Sequence, residues 1–265
     1  MLTISNVNKT FNEGTVNEKI ALRNINLHLA PGDFVTVIGS NGAGKSTLMN
    51  AISGGYIPDT GTIKIAEQMV TKWNEHNRAS LIGRVFQDPM AGTAPNMTIE
   101  ENLAIAYSRG KKRRLGLGVT SKKRALFQER LRMLDQGLEN RLKTKVGFLS
   151  GGQRQALSLL MATFTNPKIL LLDEHTAALD PKRAALIVDL TLKVVNENKL
   201  TTLMVTHNME QALNMGNRLL MLHDGSIILD IPQEKKSQMT TNDLLRAFEE
   251  ARGGEKLTED RYILA

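Results

Sequence analysis

The sequence contains no cysteine, few aromatic residues and no long apolar run. The absence of cysteine excludes a disulfide framework and a thiolate metal site, and it agrees with a reducing cytosol. No stretch approaches the roughly 18 consecutive apolar residues that a membrane-spanning helix requires, and residues 1–10 form no basic and then apolar secretory signal. We therefore expect a soluble protein that is not exported. With 265 residues, 41% of them hydrophobic, the chain is long enough to bury a substantial core.

The positive charge is concentrated in one region of the chain. The net charge is +7. Much of the excess comes from a basic run formed by Arg109, Lys111, Lys112, Arg113, Arg114, Lys122, Lys123 and Arg124. This run suits either a solvated loop and helix face or a lipid-binding or partner-binding patch. Tyr107 alone supplies a base-stacking aromatic ring among these charges, so we expect no nucleic-acid partner.

Alternating and β-branched runs predict strands in the first third of the chain. These strands cover residues 2–9, 21–29, 33–38, 62–65 and 82–86. From about residue 97 to residue 145 the pattern becomes helical and rich in charge. It begins with a predicted helix over residues 98–108, in which Thr98 and Glu101 have capping-box spacing. The change in pattern indicates an inserted helical subdomain.

Strands and helices alternate in the second half of the chain. The pattern predicts strands over residues 169–172 and 203–206, and helices over residues 181–196 and 208–215. Buried apolar strands that alternate with helices are typical of a parallel α/β core.

Residues 39–46 match a phosphate-binding loop between a predicted strand and a predicted helix. The loop and the next residue read Gly39, Ser40, Asn41, Gly42, Ala43, Gly44, Lys45, Ser46 and Thr47. The glycines let the backbone N–H groups face phosphates, and Lys45 adds a charge at the β- and γ-phosphates. Ser46 can ligate Mg²⁺, and Thr47 can help with the α-phosphate. A plain glycine turn into a helix is the alternative interpretation.

Residues 168–174 form an apolar run that ends in two carboxylates, Asp173 and Glu174. A buried parallel strand would deliver both to its carboxyl end, where ligands bind in α/β sheets. Asp173 is suited to hold Mg²⁺ through water, and Glu174 to polarise the water that attacks the γ-phosphate. The alternative is that the two residues simply end a strand in solvent.

Residues 149–153 predict a second anion site. Ser150 and Gln153 have capping-box spacing ahead of a helical pattern over residues 156–164. Gly151 and Gly152 would therefore expose N–H groups at the positive end of a helix. One ATP needs only one phosphate loop, so the second site is best explained if it closes over the nucleotide of a neighbouring copy. This predicts a head-to-tail dimer with two ATP molecules, whereas a glycine-containing helix cap is the alternative.

Together these segments resemble the ATP-binding subunits of ABC transporters. Residues 149–153 are similar to the family signature, and residues 39–47 and 168–180 resemble its Walker A, Walker B and D-loop segments in the same order. The resemblance extends from about residue 2 to residue 230. It implies an α/β fold, a P-loop NTPase core with a mainly parallel sheet, an N-terminal antiparallel β subdomain and an inserted helical subdomain. The core would comprise residues 1–95 and 166–265, and the helical subdomain, with the signature, residues 96–165.

The resemblance also implies roles for single residues. Gln87 would reach Mg²⁺ and the attacking water and couple to the membrane subunit, and His207 would contact the γ-phosphate. Phe11 resembles the aromatic residue that stacks on adenine, and Asp180 resembles the D-loop aspartate at the dimer interface. The implied catalytic residues are Glu174, His207 and Gln87, and the implied metal ligands are Ser46, Gln87 and Asp173.

The chain departs from the family pattern at two D-loop positions. His175 stands where the family usually has proline, and Ala178 where it usually has serine. The signature also continues as Gln153-Arg154-Gln155, whereas the family more commonly has a glutamine-rich run that ends in arginine. None of these changes alters Lys45, Asp173 or Glu174, so we expect ATP hydrolysis rather than binding alone.

The resemblance implies that the chain powers a transporter, and a prokaryotic importer of a small solute such as an amino acid is expected. It implies ATP and Mg²⁺ as ligands, and a transmembrane permease, a second copy of the chain and a separate solute-binding protein as partners. It also implies a peripheral location at the cytoplasmic face of the membrane. Residues 95–102 and the basic run resemble subunits of tryptophan/tyrosine-type uptake systems.

Two other functions fit the phosphate loop less well. A soluble ABC ATPase of translation or DNA maintenance would carry tandem cassettes, a long coiled coil or cysteine-rich zinc modules, which this sequence lacks. A GTPase or kinase is opposed by the signature, and the guanine motif Asn-Lys-x-Asp is absent because residues 198–201 end in threonine.

Overall fold

The computed structural model of the protein describes residues 1–111 and 117–251. The chain divides into two compact units, one formed by Met1–Arg78 with Leu200–Ala265 and the other by Ala79–Lys199. The division into residues 1–95 with 166–265 and residues 96–165 stays a prediction. Within the described ranges, no helix combines the length and the apolar character that crossing a membrane requires.

The helices and strands of the described residues follow one another along the chain. The strands are β1 Leu2–Phe11, β2 Lys19–Leu29, β3 Phe34–Gly39, β4 Thr60–Ile65, β5 Gln68–Met69, β6 Ile82–Val85, β7 Ile169–Asp173, β8 Thr201–Val205, β9 Arg218–His223 and β10 Ser226–Pro232. The helices are α1 Lys45–Ser53, α2 Glu75–Arg78, α3 Ile99–Tyr107, α4 Ser121–Arg132, α5 Gly151–Thr163, α6 Pro181–Asn198, α7 Met209–Asn214, α8 Gln233–Lys236 and α9 Thr241–Ala251.

An antiparallel sheet forms the first layer of the first unit. Its strand order is β2-β1-β4-β5, and β1 pairs antiparallel with both β2 and β4. Leu2 and Ile4 alternate with less buried residues at the start of β1, as expected for a strand with one face on the core. The predicted N-terminal antiparallel β subdomain is confirmed.

A mainly parallel group of strands forms the second layer of this unit. The central strand β3 is buried along its whole length and pairs in parallel with β8 and β9, while β10 adds an antiparallel edge. β-branched residues dominate β3, which suits a strand covered on both faces. A buried cluster packs against it from α7 and α9 and comprises Ile38, Met209, Ala212, Leu219, Met221, Ile231, Leu244 and Phe248. The predicted α/β class with a mainly parallel sheet is confirmed.

The second unit combines a parallel strand pair with helices. β6 and β7 pair in parallel, with Val85 opposite Leu172. Tyr107 at the end of α3, Phe127 on α4 and Phe164 after α5 meet edge to face, with ring centroids 6.2, 5.7 and 5.8 Å apart. This geometry suits the ring quadrupoles and joins the three helices.

Part of the basic run lies in this unit. The Lys111 Nζ atom lies 3.1 Å from the centroid of the Tyr107 ring, and Arg124 donates to the buried Glu100 carboxylate at 2.7 Å. The Lys123 Nζ atom donates to the Gly118 carbonyl at 2.8 Å. These contacts favour an ordinary loop and helix face for this part of the run. Lys112, Arg113 and Arg114 lie outside the described residues.

A fully buried guanidinium supports the end of α1. Arg78 donates to the carbonyls of Ala51 and Ile52, in the last turn of α1, at 2.6 and 2.7 Å. It also donates to the Trp73 and Thr71 carbonyls, each at 2.9 Å. Burial lowers the pKa of Arg78 to about 10, so the group stays charged at neutral pH and stabilises the negative end of the helix dipole.

We expect Arg78→Met to lower the free energy of unfolding by about 2–4 kcal/mol, because two buried and two partly buried carbonyls lose their charged donor. Arg132→Met, at an exposed position of α4, is the matched control and should change it by less than about 0.5 kcal/mol. Urea unfolding measures both. Equal midpoints for the two variants would contradict the role assigned to Arg78.

Candidate functional site

The predicted phosphate loop lies between β3 and α1 in the first unit. Gly44 precedes the helix with a φ of 102°, and no side chain of the described residues caps the helix start. A Cβ atom would lie 2.4 Å from the Ala21 carbonyl oxygen at Gly44, and 2.2 Å from the Leu222 carbonyl oxygen at Gly39. Both positions therefore require glycine. The first turn of α1 also holds no acidic residue, so the helix start suits an anion.

The Lys45 ammonium lies against this loop. Lys45 is 8% exposed, and its Nζ atom donates to the carbonyls of Gly39 at 2.6 Å and Ser40 at 3.1 Å. These bonds hold a positive charge beside the loop. A bound phosphate would be a stronger acceptor for the same ammonium.

His207 lies at the same sheet edge as the phosphate loop. The preceding strand β8 pairs in parallel with β3, with Val205 opposite Val37. The Thr206 N–H group donates to the Val37 carbonyl at 3.1 Å, and the Thr206 hydroxyl accepts from the Asn208 N–H group at 3.1 Å. The carboxyl ends of two neighbouring strands therefore bring residues 39–47 and His207 to one edge.

Phe11 ends β1 as a half-buried ring. It meets Tyr56 edge to face, with centroids 5.1 Å apart, and Lys9 Nζ lies 5.6 Å from its centroid. These contacts hold the ring in place, as stacking on a base requires. Its predicted role with adenine stays a prediction.

Asp173 and Glu174 end the buried strand β7 in the second unit. Asp173 forms an ion pair with Arg84 on β6, with Arg84 Nη2 3.0 Å from Asp173 Oδ2, and the Arg84 guanidinium stacks on the Phe86 ring at 4.6 Å. Arg84 is not among the site residues that the sequence predicts. Its position two residues before Phe86, on a strand predicted to precede Gln87, was the only sequence indication.

Gln87 follows β6 next to these carboxylates. Because Val85 lies opposite Leu172, Gln87 and Asp173 leave the same edge of the strand pair. Gln155 is fully buried on α5 and donates to the Phe86 carbonyl at 3.3 Å. A residue that follows the signature therefore fixes the backbone just before Gln87.

The signature residues begin α5 as predicted. Ser150 is the N-cap, and its hydroxyl accepts from the Gln153 N–H group at 3.3 Å. The Gln153 side chain accepts from the Ser150 N–H group at 3.2 Å, which completes the capping box. Gly152 is buried and lies against Arg183, since a Cβ atom there would be 3.4 Å from Arg183 Cδ.

A cavity of about 490 Å³ opens beside the signature. It is lined by residues of the signature and of the start of α6, namely Gln136, Ser150, Gly152, Gln153, Asp180, Lys182, Arg183, Leu186 and Ile187. Asp180 is the N-cap of α6 and accepts from the Arg183 N–H group at 3.1 Å. Lys182 and Arg183 bring positive charge to this cavity, and Asp180 brings a carboxylate that pairs with Arg183 at 3.2 Å.

The side chains predicted to hold Mg²⁺ carry the oxygen atoms that this ion prefers. No group of three or more His, Cys, Asp or Glu side chains among the described residues could enclose a metal ion. Mg²⁺ usually combines one or two protein ligands with waters and phosphate oxygens. The hydroxyl of Ser46, the carboxylate of Asp173 and the amide of Gln87 are oxygen donors of that kind.

Comparisons with known proteins agree with these features. Residues 22–177 match a family model described as ABC transporter. The chain is 44% identical over 251 residues, 95% of this chain and 100% of the relative, to a tyrosine transport ATP-binding protein of Clostridioides difficile. It is 33% identical over 254 residues, 94% of this chain and 79% of the relative, to a phosphonates import ATP-binding protein of Haloquadratum walsbyi. A solved dimeric ATP-binding cassette in a post-hydrolysis state, bound to ADP and Pi, aligns with a TM-score of 0.75 and 31% identity over 88% of this chain and 99% of that chain.

We expect Gly44→Ala to weaken ATP binding about 10- to 100-fold, because the new Cβ atom would strain the loop by about 1–3 kcal/mol. Gly118→Ala is the matched control, since a Cβ atom there meets nothing within 4 Å. Titration with a fluorescent ATP analogue measures both affinities. Wild-type affinity of the Gly44 variant would show that the loop does not hold the phosphates.

Proposed function

This chain belongs to the ABC transporter family and is an ATP-hydrolysing enzyme, and on that premise we propose that it powers the import of a small solute, such as an amino acid. The observation that carries the proposal is the 44% identity to a tyrosine transport ATP-binding protein over that protein's whole length. The transported solute would be bound by other subunits, so the similarity bears on the class of transporter rather than on a contact made by this chain.

The phosphate loop is proposed to hold the ATP phosphates. Residues 39–47 would surround the β- and γ-phosphates with backbone N–H groups, and the Lys45 ammonium would exchange its two loop carbonyls for phosphate oxygens. The Thr47 hydroxyl would bind the α-phosphate, and Phe11 would stack on adenine. The start of α1 adds its positive dipole end to the same anion.

Ser46, Asp173 and Gln87 are proposed as the protein groups that hold Mg²⁺. When bound, the ion would neutralise charge on the phosphate oxygens. Arg84 donates to Asp173 at 3.0 Å, which orients this carboxylate beside β6.

Glu174 is proposed as the general base of hydrolysis. Its carboxylate would accept a proton from the attacking water, while His207 would donate a hydrogen bond to the γ-phosphate. Gln87 would orient the same water. Positioned general bases accelerate such steps about 10²- to 10⁴-fold, so Glu174 is expected to control turnover rather than nucleotide affinity.

A second copy of the chain is proposed to complete each nucleotide site. Ser150, Gly151, Gly152 and Gln153 would contact the γ-phosphate bound to the other copy. The solved cassette similar to this chain is a dimer bound to ADP and Pi, which supports this arrangement. The cavity beside Ser150 is lined by the cationic side chains of Lys182 and Arg183, which favour an anion nearby.

A transmembrane permease and a separate solute-binding protein are the further partners that we propose. ATP-driven closure and reopening of the dimer would be transmitted to the permease, and the chain would lie peripherally at the cytoplasmic face of the membrane. The named relatives are transport or import proteins, and this supports the transport role over one in translation or DNA maintenance.

We expect Glu174→Gln to lower ATP turnover at least about 100-fold, because the amide cannot accept the proton of the attacking water. ATP binding should persist, and the ATP-bound dimer should accumulate. Phosphate release and light scattering after size-exclusion chromatography measure these effects. The control Glu197→Gln, at an exposed position of α6, should have wild-type turnover. Wild-type turnover of Glu174→Gln would show that Glu174 is not the general base.

A further inference from the structure

A buried histidine follows the proposed general base directly. His175 is 2% exposed, although Glu174 beside it is only half-buried. The His175 Nε2 atom lies 3.0 Å from the hydroxyl oxygen of Thr191 on α6, which is itself fully buried. A buried polar ring needs such a partner, so this hydrogen bond connects the end of β7 to the middle of α6.

The direction of this hydrogen bond follows from the surrounding network. The Thr191 hydroxyl donates its single proton to the Ile187 carbonyl at 2.7 Å. The oxygen of Thr191 is then the acceptor, and His175 donates through Nε2–H. His175 therefore acts on α6 as a hydrogen-bond donor.

Glu174 has a backbone conformation that needs such support. Its φ is 43°, in the left-handed region that costs residues other than glycine about 1 kcal/mol or more. On one side the chain is fixed by β7, which is fully buried up to Leu172. On the other side the side chain of His175 is the nearest buried anchor. A turn in which the Ala177 N–H group donates to the Glu174 carbonyl at 2.9 Å follows.

We propose that His175 is a positioning residue for ATP hydrolysis, because its hydrogen bond to Thr191 holds Glu174 in the left-handed conformation and thereby fixes the position of the carboxylate. This inference rests on the proposed role of Glu174 as the general base. Without the bond, the donor on His175 would be buried without a partner, and the loop would relax towards solvent. A displacement of about 1 Å at a reacting group lowers a rate about 100-fold.

Thr191→Val tests this proposal with little change of shape. It removes the hydroxyl that accepts from His175, while the Ile187 carbonyl keeps the helical hydrogen bond from the backbone N–H of residue 191. In the full-length chain, with Mg-ATP as substrate, we expect kcat to fall about 10- to 100-fold and KM to change less than about twofold, because the phosphate loop is unaltered. Thr191→Ser, which keeps the hydroxyl, should restore kcat to within about threefold of the wild type.

The matched control is Thr163→Val on α5. Thr163 is also buried, and its hydroxyl donates to the Leu159 carbonyl at 2.9 Å, as that of Thr191 does to Ile187. Thr163→Val therefore removes the same kind of hydrogen bond, from a threonine hydroxyl to a carbonyl of its own helix, as Thr191→Val does. The control should lose the stability that such a hydroxyl contributes and keep its kcat. A kcat loss in Thr191→Val that is no larger than in Thr163→Val would overturn the proposal.

A second variant covers the case in which Thr191→Val does not fold. The double variant His175→Leu with Thr191→Val leaves no buried donor without a partner, so it should fold. It should show the same loss of kcat, and a wild-type kcat would overturn the proposal. Wild-type turnover of Glu174→Gln would instead contradict the proposed function, so the two failures are distinguishable.

Discussion

The structure depends on a helix start that is kept open for an anion. No side chain of the described residues caps α1, and the preceding glycine has a conformation that other residues adopt only with strain. The positive end of the helix and the Lys45 ammonium then face the same loop. Arg78 stabilises the opposite end of α1 by binding its last carbonyls. The phosphate loop is therefore held in shape by contacts at both ends of α1.

The two helix starts of the proposed nucleotide sites differ in a way that suits their roles. α1 has no side-chain cap among the described residues, whereas α5 carries its own capping box between Ser150 and Gln153. In the proposed roles, the first would hold a phosphate tightly, and the second would stay capped until a nucleotide on another copy reached it. Gln155, two residues further along α5, holds the carbonyl of Phe86. A contact at Ser150 is thereby connected to the backbone next to Gln87 within one unit.

Much of the fold was predictable because its local patterns agree with the tertiary structure. The helix predicted over residues 98–108 is α3, with Thr98 and Glu101 in the predicted capping box, and the glycine spacing of residues 39–46 identified the loop before α1. The sequence did not reveal the ion pair of Arg84 with Asp173, because the pairing of β6 with β7 joins residues far apart in the chain. In the sequence His175 is visible only as a departure from a family pattern. Its hydrogen bond to Thr191 depends on how the end of β7 packs against α6.

The central claim is that two copies hold each nucleotide between the phosphate loop of one and the signature of the other. The chain has no cysteine, so cysteines introduced at the exposed residues Asn41 and Phe148 would be the only reactive thiols. An Asn41→Cys chain is mixed with a Phe148→Cys chain, both carrying Glu174→Gln, and treated with a short bifunctional maleimide. The account predicts a cross-linked mixed dimer with Mg-ATP and little with ADP. Cross-linking that is absent with ATP, or equal without nucleotide, would contradict it.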